Sequence, residues 1–327
     1  MMLGSLLCSA HDANRIVAIG PEGEVTLGGL WQRAAAIAAL LPPAQPGSLV
    51  AFAFGEDQIT LAAALLGTWL AGHAAALPES ARREHVAPIL ARQDVVAFLH
   101  DTGVGRGVFA PRALRACALP PLPTAVADEP DRVLLATFTN QLEGPLRKRR
   151  WTSQHLLQVI DEILANMRLL SDDVMITALA PTFESAVLAG LLAPLRGGAQ
   201  IAPNAPRGIE QLLAMANTTA SAVALVPPGA LTRLADCTAS PALRRVFCAA
   251  PPRPYDTIAL HNAHGLEVVR VFAGGDDDPP AAYTLACERL LALPSVGDAA
   301  IVVTEATAIV AVAALPMTGD RQNLIEQ

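Results

Sequence analysis

Lysine is almost absent from this 327-residue chain. Lys148 is the single one, and the other 22 basic residues are arginines. Any chemistry that needs a primary amine must use Lys148 or do without it. Charge in general is scarce, at 16% of residues against 52% hydrophobic ones. That balance is too apolar for a disordered chain and is ample for a large buried core. Aromatics reach only 4%, so the core must be built mainly from Ala, Leu, Val and Ile. There is no basic excess either. A formal charge of −7 disfavours a general nucleic-acid binder, which carries a basic stripe or surplus. The cysteines, Cys8, Cys117, Cys237, Cys248 and Cys287, form no C-x-x-C pair. This argues against a zinc cage or a disulfide scaffold and for reduced, buried thiols in a cytoplasmic protein. The G-x-S-x-G nucleophile elbow is also missing. The N-terminus lacks the basic region of a secretory signal.

What the chain does have is a rhythm of apolar segments. Residues 59–77 are nearly uncharged and close to membrane-spanning length. Gly67, Gly72 and His73 interrupt them, and no arginine cluster flanks them closely, so a buried helix over 59–72 is the reading and no membrane span is expected. Helical spacing over 25–41, with Thr26 as cap, predicts a helix, as it does over 83–92. The apolar runs 49–54, 95–99 and 132–137 predict buried strands. Residues 111–130 read as a connector. Residues 151–169 predict an amphipathic helix with Leu156, Val159, Ile160, Ile163 and Met167 on one face. Strands are expected at 174–179, 222–226 and 245–248, with an apolar helix at 184–195. Residues 285–293 predict a helix, and 299–303 and 308–314 a pair of strands. Strands alternating with helices imply an α/β fold with parallel sheets.

The most informative stretch is TFTNQLEGPLRKRRWT at 137–152. A strand ends, a polar loop with one glycine follows, then a basic run, then a helix. That layout can hold phosphates on backbone N–H groups and neutralise them with cations. Glu143 within the loop opposes this electrostatically.

The stretch resembles the phosphate-binding signature of adenylate-forming enzymes: acyl-CoA synthetases, aryl-acid ligases and nonribosomal adenylation domains. Their pattern reads roughly TSGSTGxPK, with a further Thr five residues on. Thr139 matches its first Thr, Gly144 its second Gly, Arg147 its Lys and Thr152 the trailing Thr. Asn140, Gln141, Leu142 and Glu143 depart from its small residues, and Pro145 sits one place early. Four more fragments follow the family's order. Gly67, Ala71, Gly72 and Pro78 match an upstream run. Asp173, Pro181, Pro194, Leu195, Gly198 and Ala199 match a downstream one, with Glu184 in place of a His or aromatic. SPALRRVFCAAPP resembles the strand before the acyl pocket, and ERLLALPSVGDAAIVV the start of the family's C-terminal domain.

The resemblance implies an adenylation-domain-like unit of parallel-sheet subdomains over residues 1–275, and a truncated, small α+β appendage over 276–327. It implies that ATP and a small carboxylic acid react to give an acyl-adenylate and pyrophosphate, with CoA or an acyl carrier protein as acceptor. Thr139, Asn140, Gly144, Arg147, Lys148 and Thr152 would meet the nucleotide's phosphates, Arg147 standing where the family has lysine. Phe272 would stack on adenine, Asp276 would bind magnesium, and Phe183 and Glu184 would border the acyl pocket. The family's Thr-Glu motif is lacking after Phe272. Its ribose-binding and hinge segments have no counterpart between Gly275 and Glu288, and no lysine follows Lys148. The chain therefore reads as a shortened scaffold. Losing one preorganised electrostatic donor costs about 3–4 kcal/mol of transition-state stabilisation. Two further readings stay open: a pseudoenzyme that keeps the fold for ligand or partner binding, and an unrelated α/β binding protein.

The remaining constellations are weak. His261 and His264 are spaced i, i+3 without a third ligand. Asp276–Asp278 reads as a solvated turn as well as a cation site. Gly103, Gly105 and Gly107 are not followed by a helix, because Pro111 intervenes. Thr318-Gly319-Asp320 copies the family's ribose motif but in the wrong order.

Overall fold

The computed structural model describes residues 12–20, 23–101, 130–139, 147–238, 240–248, 260–261, 264–271, 296–303 and 308–314. The expectations on Cys8, Cys117, Cys287, Asn140, Gly144, Phe272, Asp276, the connector 111–129, the helix 285–293 and the motif at 318–320 lie outside these residues.

Two mixed sheets dominate. The first strands are β1 (Ile16–Gly20) and β2 (Gly23–Thr26), followed by helix α1 (Leu27–Leu40). Thr26 caps α1 as its sequence predicts, its hydroxyl accepting from Gly29 N at 3.1 Å. Then come β3 (Leu49–Ala53), α2 (Gln58–Leu70), β4 (Ala74–Pro78), α3 (Arg83–Leu90), β5 (Val95–His100), β6 (Val133–Thr139), β7 (Arg147–Thr152) and α4 (Ser153–Met167). Strands β3 to β7 form a five-stranded sheet in the order β5-β3-β4-β6-β7, parallel except for the antiparallel edge pair β6–β7.

The apolar run 59–77 is thus a buried helix, as expected, but its end is a strand. Ala74, Ala75 and Ala76 are too small to signal a strand by bulk. They are buried all the same, between β3 and β6. No helix among the described residues is long and apolar enough to cross a membrane.

One expectation is corrected here. Residues 147–152 were read as a basic run leading directly into a helix, but they form strand β7, and α4 begins at Ser153. RKRRWT suits a sheet edge, where charged side chains block further pairing. Its alternation sorts the side chains: Lys148 and Arg150 turn to one face, Arg149 and Trp151 to the other.

The second sheet continues with β8 (Val174–Thr177), a π-helix (Ala186–Leu192), α5 (Ala193–Gly197), β9 (Gln200–Ile201), α6 (Ile209–Asn217), β10 (Ala222–Val226), α7 (Gly229–Ala235), β11 (Leu243–Cys248) and β12 (Glu267–Arg270). Its order is β12-β11-β10-β8-β9-β1-β2, with only β1–β2 antiparallel. The parallel-sheet α/β expectation holds for both sheets. The helix expected over 184–195 is present, with the π-helix Ala186–Leu192 inside it and α5 at its end. Strands β13 (Val296–Val303) and β14 (Ala308–Ala314) pair as an antiparallel hairpin.

One apolar core joins the two sheets through α1, α2 and α4, including Trp31, Trp69 and Trp151. The predicted face of α4 is the buried one. Helices α1 and α2 approach so closely that a Cβ on Gly67 would stand 2.6 Å from Ala34 O. Asp173, fully buried before β8, is held by Arg244, by Ser221 Oγ at 2.7 Å and by Leu170 N at 2.8 Å.

Candidate functional site

In open α/β sheets, ligands gather at the carboxyl ends of strands where the chain switches direction across the sheet. Strand β8 is such a place, because β9 lies on one side of it and β10 on the other. The segment after β8 therefore borders a natural crevice, and it carries Phe183 and Glu184. Strand β6 delivers Thr139 at its own carboxyl end. Thr139 pairs directly with Arg147 of β7, so the ladder brings the two residues that flank 140–146 together.

Glu184 meets this ladder from the other sheet. Thr137 donates its hydroxyl to Glu184 Oε2 at 2.6 Å, and Trp151 Nε1 donates to the same oxygen at 3.2 Å. Arg149 Nη1 reaches Oε1 at 3.0 Å, and its guanidinium lies 4.0 Å from the centre of the Trp151 ring. Side-chain exposure is 21% for Glu184 and 18% for Arg149, so the pair is shielded from most solvent. The sequence alone placed Glu184 at an acyl pocket. It did not reveal these partners, because they come from β6 and β7, and β7 was not recognised as a strand. The alternation in RKRRWT was the available signal.

Immediately after Glu184 the chain enters the π-helix, a form that often marks functional sites. Gly190 lies against Thr177 at the end of β8, where any Cβ would overlap the Thr177 side chain.

The other expected site residues part company. Thr152 sits at the far end of the β6–β7 ladder, opposite Val133, and accepts from His155 N at 3.4 Å as the cap of α4. It is not brought beside Thr139. Lys148 turns to the opposite face from Glu184 and pairs with Asp94 at 3.0 Å. Asp94 also receives Arg92 Nε at 2.9 Å and Nη2 at 2.8 Å. Hydrogen bonds from Arg92, and then from Lys148, hold the Asp94 carboxyl down to about 2 against the opposing effect of burial. His264 donates its Nε2 proton to Leu234 O, 2.9 Å away, as a packed structural residue. Among the described residues no cluster of three or more His, Cys, Asp or Glu could hold a metal ion.

No family model matches the sequence, and no curated protein matches it. Solved structures do match the fold. The apo structure of MbtA from Mycobacterium smegmatis superposes with a TM-score of 0.68 at 21% identity, covering 84% of this chain and 57% of that one. Apo MatB from Rhodopseudomonas palustris gives 0.67 at 16% identity, covering 81% and 58%. A benzoate CoA ligase from Burkholderia xenovorans LB400 gives 0.63 at 17% identity, covering 81% and 59%. MatB has also been seen with ATP bound. The chain shares the fold of these proteins over about four-fifths of its length and spans under three-fifths of theirs.

Proposed function

We propose that this chain is an adenylate-forming protein of the acyl-CoA synthetase and aryl-acid ligase type, acting on ATP and a small carboxylic acid. The observation that carries the reading is the β6–β7 ladder. It brings together the two ends of residues 140–146, whose sequence resembles a phosphate-binding signature, at the carboxyl end of β6, the strand whose Thr137 donates to Glu184 in the segment that leaves β8 at a switch point.

In this reading Thr139, Asn140, Gly144 and Arg147 meet the phosphates. Phe272 stacks on adenine, Asp276 holds magnesium, and Phe183 and Glu184 border the acid. An oxygen of the substrate carboxylate attacks the α-phosphorus, the bond from that phosphorus to the β-phosphate bridge breaks, and pyrophosphate leaves. CoA or an acyl carrier protein is the acceptor of the resulting acyl group. Residues 1–275 form the adenylation-like unit and 276–327 the reduced appendage, in a cytoplasmic protein. Arg149 neutralises Glu184, so the acid pocket does not present a bare negative charge to a carboxylate.

The second reading is a pseudoenzyme that binds ligand or partner without turnover. It is favoured by Lys148, the single lysine, which is engaged by Asp94 and turned away from Glu184. ATP–pyrophosphate exchange with a panel of aliphatic and aromatic acids separates the two. Acid-dependent exchange is the expected result. Binding of ATP without exchange for any acid establishes the pseudoenzyme, and absence of both removes the adenylation reading.

A further inference from the structure

The face of the five-stranded sheet that carries Lys148 holds a cavity of about 510 Å³. Leu49, Ala74 and Val133, the first residues of β3, β4 and β6, form its apolar floor. Lys148 and Arg150, opposite Phe138 and Ala136 in the β6–β7 ladder, line it from β7. Lys148 pairs with Asp94 in the lining, to which the loop between α1 and β3 also contributes, including Ala44.

The lining is strongly unbalanced in charge. Arg132, Lys148 and Arg150 contribute three cations, and Asp94 is the one acid among the described lining residues. Asp94 is already occupied by Lys148 and Arg92. Arg132 gives Nη2 to Trp69 O at 2.7 Å, which fixes its guanidinium at the wall and leaves its remaining donors without a partner among the described residues. Arg150 is exposed and has no partner there at all. A surplus of two positive charges over an apolar floor, in a cavity within the usual volume of small-molecule sites, specifies a ligand. A carboxylate would cancel half of that surplus. A phosphate monoester carries close to two negative charges at neutral pH and offers three acceptor oxygens to guanidinium forks.

We infer that this cavity is a binding site for a small phosphate monoester with an apolar body, separate from the loop at residues 140–146. The phosphate sits between Arg132 and Arg150, and the body lies on Leu49, Ala74 and Val133. The inference stands whether or not the chain adenylates an acid.

Calorimetric titration with phenyl phosphate and with inorganic phosphate tests it. The proteins compared are wild type, Arg150→Gln, Ala44→Glu and, as a loop control, Arg147→Ala. Residues 44 and 150 are exposed, so both cavity variants keep the fold, which circular dichroism verifies. Phenyl phosphate should bind wild type more tightly than inorganic phosphate. Each cavity variant should weaken it about 10- to 100-fold, the effect of losing or opposing one charge-assisted contact, and Arg147→Ala should leave it unchanged. The site is refuted if wild type shows no binding up to about 10 mM, a free energy too small for three oriented cations. It is equally refuted if the cavity variants bind like wild type, or if Arg147→Ala alone loses the ligand. Equal affinity for the two phosphates would overturn the role of the apolar floor.

Discussion

Glu184 gathers three donors from two neighbouring strands, and each depends on a residue whose orientation the β6–β7 register dictates. Replacing it by alanine removes the carboxylate that Arg149, at 18% exposure, and the Thr137 hydroxyl both donate to. The expected cost is about 2–3 kcal/mol in urea unfolding, lowered from the full buried-pair figure because part of the pair is wet. Glu184→Gln should cost less, since it keeps the acceptor for Thr137 and loses only the charge. Asp94 makes a prediction about pH. Its folded carboxyl is depressed to about 2, below the usual value near 4. The folded chain therefore binds fewer protons there than the unfolded one, and the stabilisation is present above pH 4 and lost as pH falls towards 2. After allowance for solvent screening at 31% exposure, it is worth about 1–2 kcal/mol. Asp94→Asn should flatten the stability profile between pH 4 and 2 relative to wild type, as measured by chemical denaturation at each pH.

Among the elements, the π-helix makes the tightest local contact with its sheet. Gly190 accommodates Thr177, which donates to the Gly190 carbonyl at 3.4 Å. Gly190→Ala should destabilise by about 1–3 kcal/mol through overpacking. Adding Thr177→Ala should recover part of that loss, and a thermal denaturation cycle over the four proteins reads the coupling. Strands such as β3 and β10 are legible because unbroken apolar runs of strand length are buried on both faces. Helices α1 and α4 were legible from period and cap. Strand β7 was not, since four successive basic residues read as a solvated run until a partner strand gives them two faces. Strand β4 was hidden in alanine. The candidate site was legible only in part. The loop's place at the end of β6 followed from the order of elements. The roles of Lys148, Thr152 and Glu184 did not, because each depends on which face of β7 or which end of its ladder a residue occupies.

At the scale of the molecule, the two sheets and their shared core share the fold of MbtA, MatB and the benzoate CoA ligase, which are longer chains. A ligand that binds only the folded state stabilises it by mass action, so saturating ATP should raise the unfolding temperature of the whole chain. Phenyl phosphate should raise it further when added with ATP if the two sites are separate, as inferred above. The central claim is that ATP's phosphates are held by the loop based on Thr139 and Arg147. Calorimetric titration of ATP into wild type and Arg147→Ala tests it most directly. A measurable affinity in wild type that falls about 10- to 100-fold in the variant, the worth of one charge-assisted phosphate contact, is the predicted result. An affinity that is the same in both proteins would contradict it.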